Sequence, residues 1–592
     1  MRRCSRMTAV VWLLLFVASF HVAAADTPVP ASSLVVVQVS GVPMLKDRVT
    51  KFLDVAAPDL AKLFPKWIDA ELKERFADRD LSVLTANERI YLSVMSFDGL
   101  LRGRPPVVLF LPATDYKSFR DKVTTADERK TYVKGKQGYD SIDNAFLVDM
   151  TKRGYVAITM DEETANQLAK PYETLGRKVL VDTLVQPFFN SDAAVYVNLK
   201  AINADYGEQL QGYVKYLNAL LQNGSLGFIP GLDKRQMQVV KTVLEGVTQA
   251  IVDGQGLVLG ASVRPEGITV CGETVFVAGT DTAKKLAAEK PTKLDEIAAL
   301  PKGNLVYSAS RYSPNVGGAF RRLTQEFAAP VDEDRAIAAI AKYDQLFAKA
   351  AAQGSVSVGN GPDSSLQLIT ATEVAALTET HIKVIKNLRD GGWYQNLVIK
   401  DKPQVKENAV EHRGYTLHQA SITLDLETSV ANIKDDNLKQ ATLESMKRLV
   451  NEKTVYWFGH DGKRFVQIVA KDWDAAKKLL DTALANKAAV GTQPAFLATR
   501  QALPANVTQL LFAEAGPTIL ALGNYAKSTI LTLPAFPGAE VPDFKLPKDP
   551  VVSYLGFAVV LKPNSAGFCG FIPTEAVKLA RESIVVKDEK NP

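Results

Sequence analysis

A segment from the middle of the chain returns near its end, and this recurrence limits the possible folds more than any other feature. Residues 259–272 read Leu-Gly-Ala-Ser-Val-Arg-Pro-Glu-Gly-Ile-Thr-Val-Cys-Gly. Residues 555–570 read Leu-Gly-Phe-Ala-Val-Val-Leu-Lys-Pro-Asn-Ser-Ala-Gly-Phe-Cys-Gly. Each predicts a strand opening on Leu-Gly, a turn containing Pro, and a return strand ending on Cys-Gly. A helix carrying Lys-Leu-Ala follows in both places, at Lys285-Leu286-Ala287 and Lys578-Leu579-Ala580. The offset is 293 to 298 residues in a chain of 592, so a structural unit recurs at half the length.

A second pair of segments supports the same split. Gln137-Gly138-Tyr139 leads to a hairpin over Phe146–Met160, turning at Lys152-Arg153-Gly154. Arg413-Gly414-Tyr415 leads to a hairpin over Val455–Val469, turning at His460-Asp461-Gly462, with a helix-like insertion over Ser429–Asn451. Glycine at these turns supplies the positive φ of tight hairpins. Where hairpins end, Asp161 precedes Ala165 and Leu168, and Asp472 precedes Ala476 and Leu479. Asp115 before Phe119, Ala283 with Leu286, and Ala576 with Leu579 extend the pattern of a capped helix returning an apolar face to a sheet.

Strand-like openings recur at Leu34–Val39, Ala194–Leu199, Leu305–Ser310 and Gln509–Ala513. Helical spacing follows in Tyr206, Leu210, Tyr213, Leu217 and Leu221, and again in Val239, Val243, Val247 and Ile251. The unit is therefore strand, helix pair, antiparallel hairpin and helix. The expected class is α+β, with antiparallel sheets covered by helices. The expected division is a signal peptide over 1–25, a first half over 26–298 and a second half over 299–592. Pro534–Pro550, with five prolines, reads as a surface loop.

The amino terminus addresses the chain for export. Arg2, Arg3 and Arg6 precede an apolar run from Thr8 to Phe20, and Ala23 and Ala25 supply the small residues of a cleavage site. The run is shorter than the ~20 residues a membrane-spanning helix needs, so the mature chain is expected to begin at Asp26. It would then carry 67 basic against 65 acidic residues, too even a balance for nucleic-acid binding. The apolar stretch Leu510–Leu533 is broken by Glu514, Pro517 and Lys527, so it reads as packed core and not as a span. The expected location is periplasmic or extracellular, in a bacterium. Only Cys271 and Cys569 would remain, too few for a disulfide scaffold. Two strands in separate, side-by-side sheets would keep these residues more than about 7 Å apart, so buried free thiols are expected.

The sequence carries no recognisable chemical signature. His381, His412, His418 and His460 form no His-Glu-x-x-His frame, and there is no Cys-x-x-Cys. His412 and His418 have even separation and could share the face of one strand; they are read as exposed strand residues in preference to a metal pair. Gly254-Gln255-Gly256-Leu257-Val258-Leu259-Gly260 leads into a strand, where a dinucleotide loop would lead into a helix. Asp161-Glu162-Glu163 and Asp332-Glu333-Asp334 open predicted helices, where acids suit the dipole. Tyr456-Trp457-Phe458 reads as a strand whose alternate residues enter the core. No catalytic, cofactor-binding or metal-binding residue is assigned, and no cofactor is expected.

The signal segment, the Leu-Gly strand starts at 259 and 555 and the helices after each hairpin loosely resemble large exported bacterial repeat-built α+β proteins of unknown function. That resemblance brings no site residues. The expected role is a non-enzymatic envelope protein that binds an unidentified protein or envelope ligand, or serves as a scaffold. The alternative is a cell-envelope hydrolase with an unrecognised carboxylate-based site.

Overall fold

A computed structural model describes residues 27–585, apart from 223–244, 312–344, 531–542 and several stretches of at most seven residues. The signal segment 1–25, the predicted start at Asp26, Asp332-Glu333-Asp334, positions 239–244 of a predicted helix and part of the proline-rich loop lie outside the described residues. The chain forms two compact units. Residues up to Gln211, Ala250–Thr280 and Ser565–Lys578 make the first; Gly212–Gln249, Asp281–Asn564 and the residues from Leu579 make the second. These units and the two sequence halves are different divisions of the chain.

The first unit is built on β-branched and aromatic strands whose alternate residues are buried. Its strands are β1 (Val35–Val39), β2 (Ile90–Val94), β3 (Val107–Pro112), β4 (Tyr139–Ile142), β5 (Ala145–Met150), β6 (Tyr155–Thr159), β7 (Ala193–Val197), β8 (Gly254–Arg264) and β9 (Gly267–Phe276). A late strand, Ser565–Pro573, joins them. Every pairing is antiparallel, in the order β4-β5-β6-β3-β2-β1-β7-β8-β9 with Ser565–Pro573 outermost. Val36, Val108, Phe110, Ala157 and Val258 are fully buried on the core face, where Leu184 and Phe188 of helix Asp182–Phe189 meet them. Helices α1 (Val42–Ala56) and α2 (Pro58–Phe76) follow β1. Phe52 and Ala56 of α1 pack on Val263 of β8. Helices α3 (Tyr116–Val123) and α4 (Glu162–Leu168) start at Asp115 and Asp161, whose side chains accept from Ser118 N and Thr164 N as predicted.

The second unit repeats this construction method. Its strands are β10 (Val306–Ser310), β11 (Ser355–Gly359), β12 (Ser365–Thr370), β13 (Trp393–Tyr394), β14 (Leu397–His412), β15 (Tyr415–Asp425), β16 (Lys453–His460), β17 (Arg464–Val469), β18 (Gln509–Glu514), β19 (Asp543–Phe544) and β20 (Tyr554–Lys562). Their antiparallel order is β13-β14-β15-β16-β17-β12-β11-β10-β18-β20. The strand Ser565–Pro573 is β21, and β22 (Ile584–Val585) pairs with β19. Helix α5 (Val374–Asn387) covers the sheet, with Leu377 and Ile385 against Phe458 and Phe465. Helix α6 (Asp436–Leu449) is the predicted insertion. Both units mix helices with antiparallel sheet, and the class is α+β.

Three expectations need correction. In helix α7 (Trp473–Ala485) the buried leucine is Leu480, not Leu479, because the inward positions are spaced by four after Ala476. Tyr456, Trp457 and Phe458 are all buried, where alternation was expected. Tyr456 and Phe458 enter the core while Trp457 meets Trp473 of α7 at 6.0 Å, so β16 is covered on both faces.

The third correction concerns the thiols: Cys271 and Cys569 are joined in a disulfide, with Cα atoms 4.1 Å apart. The expectation of free thiols placed the two strands in separate sheets. Instead, after the turn at Pro563-Asn564, β21 adds to β9 of the first unit. Pairing runs from Gly267 opposite Pro573 to Val275 opposite Ser565, which puts Cys271 directly opposite Cys569 at its centre.

Candidate functional site

Asp192 is the most deeply placed charge of the first unit. The backbone fixes it just before β7: its N donates to Ala261 O at 2.8 Å and its O accepts from Ser40 N at 2.9 Å. Its carboxylate accepts from Arg48 Nη1 of α1 at 3.0 Å, Arg264 Nη1 at 3.1 Å and Val263 N at 2.8 Å. The Asp192 side chain is 0% exposed and that of Arg48 5%. Burial pushes the Asp192 carboxyl up to about 7, opposed by the Val263 amide and the two guanidiniums. Burial also draws Arg48 down to about 10. Both carboxylate oxygens are held by fixed donors, so a substrate proton could reach this group only by displacing one.

Asp140 is a second inward carboxylate of that unit. Its Oδ2 accepts from Tyr116 Oη at 2.8 Å and Tyr132 Oη at 2.9 Å, and its Oδ1 from Gly135 N at 3.0 Å. Burial and the neighbouring carboxylate raise the pKa of both phenols, which keeps them as donors. The acidic run Asp161-Glu162-Glu163 is local architecture: Asp161 caps α4, and Glu162 accepts from Tyr139 Oη at 3.0 Å.

In the second unit the histidines go to separate places. His412 Nε2 lies 2.8 Å from Asp481 Oδ1, which also accepts from Arg413 Nε at 2.9 Å. These two neighbours hold Asp481 below the usual carboxylate range. The His412 ring meets Trp473 edge-on at 5.8 Å. His412 and His418 do not share one strand, because the turn at Arg413-Gly414 puts them on β14 and β15. His418 Nδ1 accepts from Asn408 N at 3.1 Å, and burial lowers its pKa. His460 Nδ1 accepts from Gly462 N in the turn, while His381 is buried with its ring 4.6 Å from Phe458. Among the described residues no three His, Cys, Asp or Glu side chains converge as metal ligands. Gly254–Gly260 lies within β8, so it is strand and not a phosphate loop.

An open groove of about 430 Å³ lies at the ends of β16 and β17, lined by Glu452, Lys453, Thr454, Val455, Val469 and Lys471 among others. It offers two ammonium groups and one carboxylate on a shallow, mixed surface. That arrangement can hold a polar ligand, but it lacks the facing pair of carboxylates that glycoside hydrolysis needs. Sequence spacing could not have disclosed Asp192 or Asp481, whose partners lie 144, 72 and 69 residues away.

The structure thus defines an α+β chain with two antiparallel-sheet units, in the first of which Asp192 and Asp140 are held by protein donors. No family model matches the chain, and no curated protein is similar to it. A solved structure titled "Structure of crystal form I of TP0453" is 9% identical, covers 43% of this chain and 80% of that one, and has a TM-score of 0.20. A likeness that low carries no argument.

Proposed function

We propose that this is an exported, non-enzymatic protein of a bacterial cell envelope, built by internal duplication, which binds an envelope ligand or partner. The observation that carries the binding role is the state of its carboxylates. Asp192 and Asp140 have both carboxylate oxygens held by protein donors, Asp481 Oδ1 accepts from His412 and Arg413, and the open groove is lined by lysines with Glu452. A hydrolase would present convergent, unsatisfied acids at a cavity.

Export is supported by the basic, apolar and small-residue segments of residues 1–25, and by a disulfide, which persists in oxidising compartments. Duplication is supported by topology and by matching hydrogen bonds. From β1 the order runs β2-β3-β6-β5-β4 one way and β7-β8 the other; from β10 it runs β11-β12-β17-β16-β15 and β18-β20. Asp192 accepts from Ser40 N and Val263 N and donates to Ala261 O; Thr508 accepts from Arg311 N and Leu561 N and donates to Val559 O. This register sets Leu259 against Phe557, two residues beyond the Leu555 suggested by the Leu-Gly motif.

The mature protein should be incubated with isolated envelope fragments. Binding without release of soluble fragments is expected, whereas release that scales with protein concentration would overturn the reading in favour of the hydrolase. Amino-terminal sequencing of protein from its native host should begin at Asp26; a chain retaining Met1–Ala25 would refute cleavage.

A further inference from the structure

The strand that joins the edge of β9 is the counterpart of β9 itself. In the proposed repeat Leu259 of β8 corresponds to Phe557 of β20, an offset of 298, and the same offset carries Cys271 of β9 to Cys569 of β21. The two strands run antiparallel with Cys271 opposite Cys569. Antiparallel pairing of a strand with its own counterpart is two-fold by construction. Val270 faces Gly570, the counterpart of Gly272, and Gly272 faces Phe568, the counterpart of Val270. Contacts reciprocated in this way define an isologous interface between two copies of one surface. Here the axis falls on the cysteine, the residue type that can lock such a contact covalently.

We propose that β9 and β21 are copies of one dimerisation strand, and that either edge, once freed from the other, recognises a second copy of itself in another molecule of this chain. The side chains support self-pairing. In a β21–β21 contact about Cys569, Phe568 would face Gly570, Gly567 would face Phe571 and Ala566 would face Ile572, a small residue opposite a large one each time. In a β9–β9 contact about Cys271, Val270 would face Gly272 and Thr269 would face Glu273, with no like charges opposed. The native pair already uses this fit. A Cβ at Gly272 would stand 2.6 Å from the Phe568 ring, so glycine there makes room for the residue across.

This inference rests on the proposed duplication, yet the two can fail separately. Halves that do not superpose in a crystal structure would refute the duplication. Superposable halves whose edges ignore their own copies would refute self-pairing alone. The test frees one edge at a time in the full chain. The Cα separation of 4.1 Å makes Cys271–Cys569 a non-hydrogen-bonded pair, so the neighbouring pairs at Phe568 and Val270 carry the inter-strand bonds. Phe568→Pro with Cys569→Ser therefore releases the β9 edge with Cys271 intact, and Val270→Pro with Cys271→Ser releases the β21 edge with Cys569 intact. Each variant is refolded with oxidised glutathione, which takes two protons and two electrons from the two thiols of each new bond and leaves as two glutathione thiols. Peptide mapping after non-reducing electrophoresis should find dimers joined Cys271–Cys271 in the first variant and Cys569–Cys569 in the second. Moving the cysteine one place in the first variant, by Cys271→Ser with Val270→Cys, should abolish linkage, because residue 270 faces residue 272 about the axis. Linkage undiminished by that move would reveal random collision and overturn the proposal. So would a mixture of the two variants that joins only Cys271 to Cys569. Where proline unfolds an edge, wild type refolded at high concentration decides: its covalent dimers should include both homotypic bonds. Absence of homotypic bonds from wild type and variants alike would overturn self-pairing.

Discussion

Breaking the Cys271–Cys569 bond is the most informative perturbation, because the bond joins residues 298 positions apart. In the chain-entropy account, closing a loop of that length removes about 19 cal/mol/K from the unfolded ensemble, or about 6 kcal/mol at 25 °C. That figure applies only when the whole loop unfolds. Most of the loop is the second unit, and if that unit stays folded while the first melts, less chain is released. Nine residue pairs between β9 and β21 also survive reduction. The expected loss for the first unit is therefore about 2–5 kcal/mol, within the range measured for native disulfides. For a unit of this size that is roughly 4–15 °C in melting temperature. Calorimetry of wild type and Cys271→Ser/Cys569→Ser without reductant measures it. Alkylation of denatured, unreduced wild type should add no mass. Two adducts on that protein, or a double variant that melts with wild type, would refute the pairing and return the argument to free thiols.

Other expectations follow from single groups. Asp192→Asn removes an oxygen that accepts from Arg48, Arg264 or Val263 N and should cost about 1–3 kcal/mol in urea unfolding at pH 4, the penalty for leaving buried donors unpaired. Its pH dependence has a definite sign. The folded pKa is raised from 3.8 to about 7, so the carboxyl's contribution is fully present below pH 4 and lost as pH rises through 7. The stability gap between wild type and Asp192→Asn should accordingly narrow between pH 4 and 7; a gap that widens would refute the shift. Asp161→Ala removes the cap from α4 and should cost about 1 kcal/mol by the same assay. Leu480→Ala, at a site 0% exposed, should cost about 2–5 kcal/mol, and Leu479→Ala clearly less; equal costs would contradict the facing of α7.

Local periodicity made much of this fold legible. Strand openings at residues 34, 194, 305 and 509 became β1, β7, β10 and β18, and the Asp caps at 115 and 161 start α3 and α4. Side-chain alternation has a period of two, so the Leu-Gly motif could slip two residues and keep its face. In the proposed repeat Leu259 therefore corresponds to Phe557, opposite Leu511 as Leu259 is opposite Val195, two residues from the match the motif suggests. The disulfide was missed for a different reason. Nothing local in residues 565–573 says which sheet they join, and that pairing is a long-range fact.

Comparison of Asp192 with Thr508 separates what the fold needs from what this one position adds. Both residues make the same three backbone-directed hydrogen bonds, and the threonine does so without a charge. The backbone crossing therefore does not require a carboxylate, and a buried ion pair is in general weak evidence of stability. What Asp192 adds is a hold on Arg48, and Arg48 lies in α1. Helix α1 also packs on Val263 through Phe52 and Ala56, and α2 is fastened to it by Lys46–Asp69. The buried carboxylate thus ties α1 to the sheet beside its apolar packing. Loss of Asp192 should then loosen α1 even where the protein remains folded. At pH 7 and in the absence of denaturant, Asp192→Asn should retain its sheet circular dichroism, while the α1 amides exchange hydrogen faster than in wild type. Amide exchange in α1 equal to wild type, with the fold intact, would show that α1 is held by apolar packing alone.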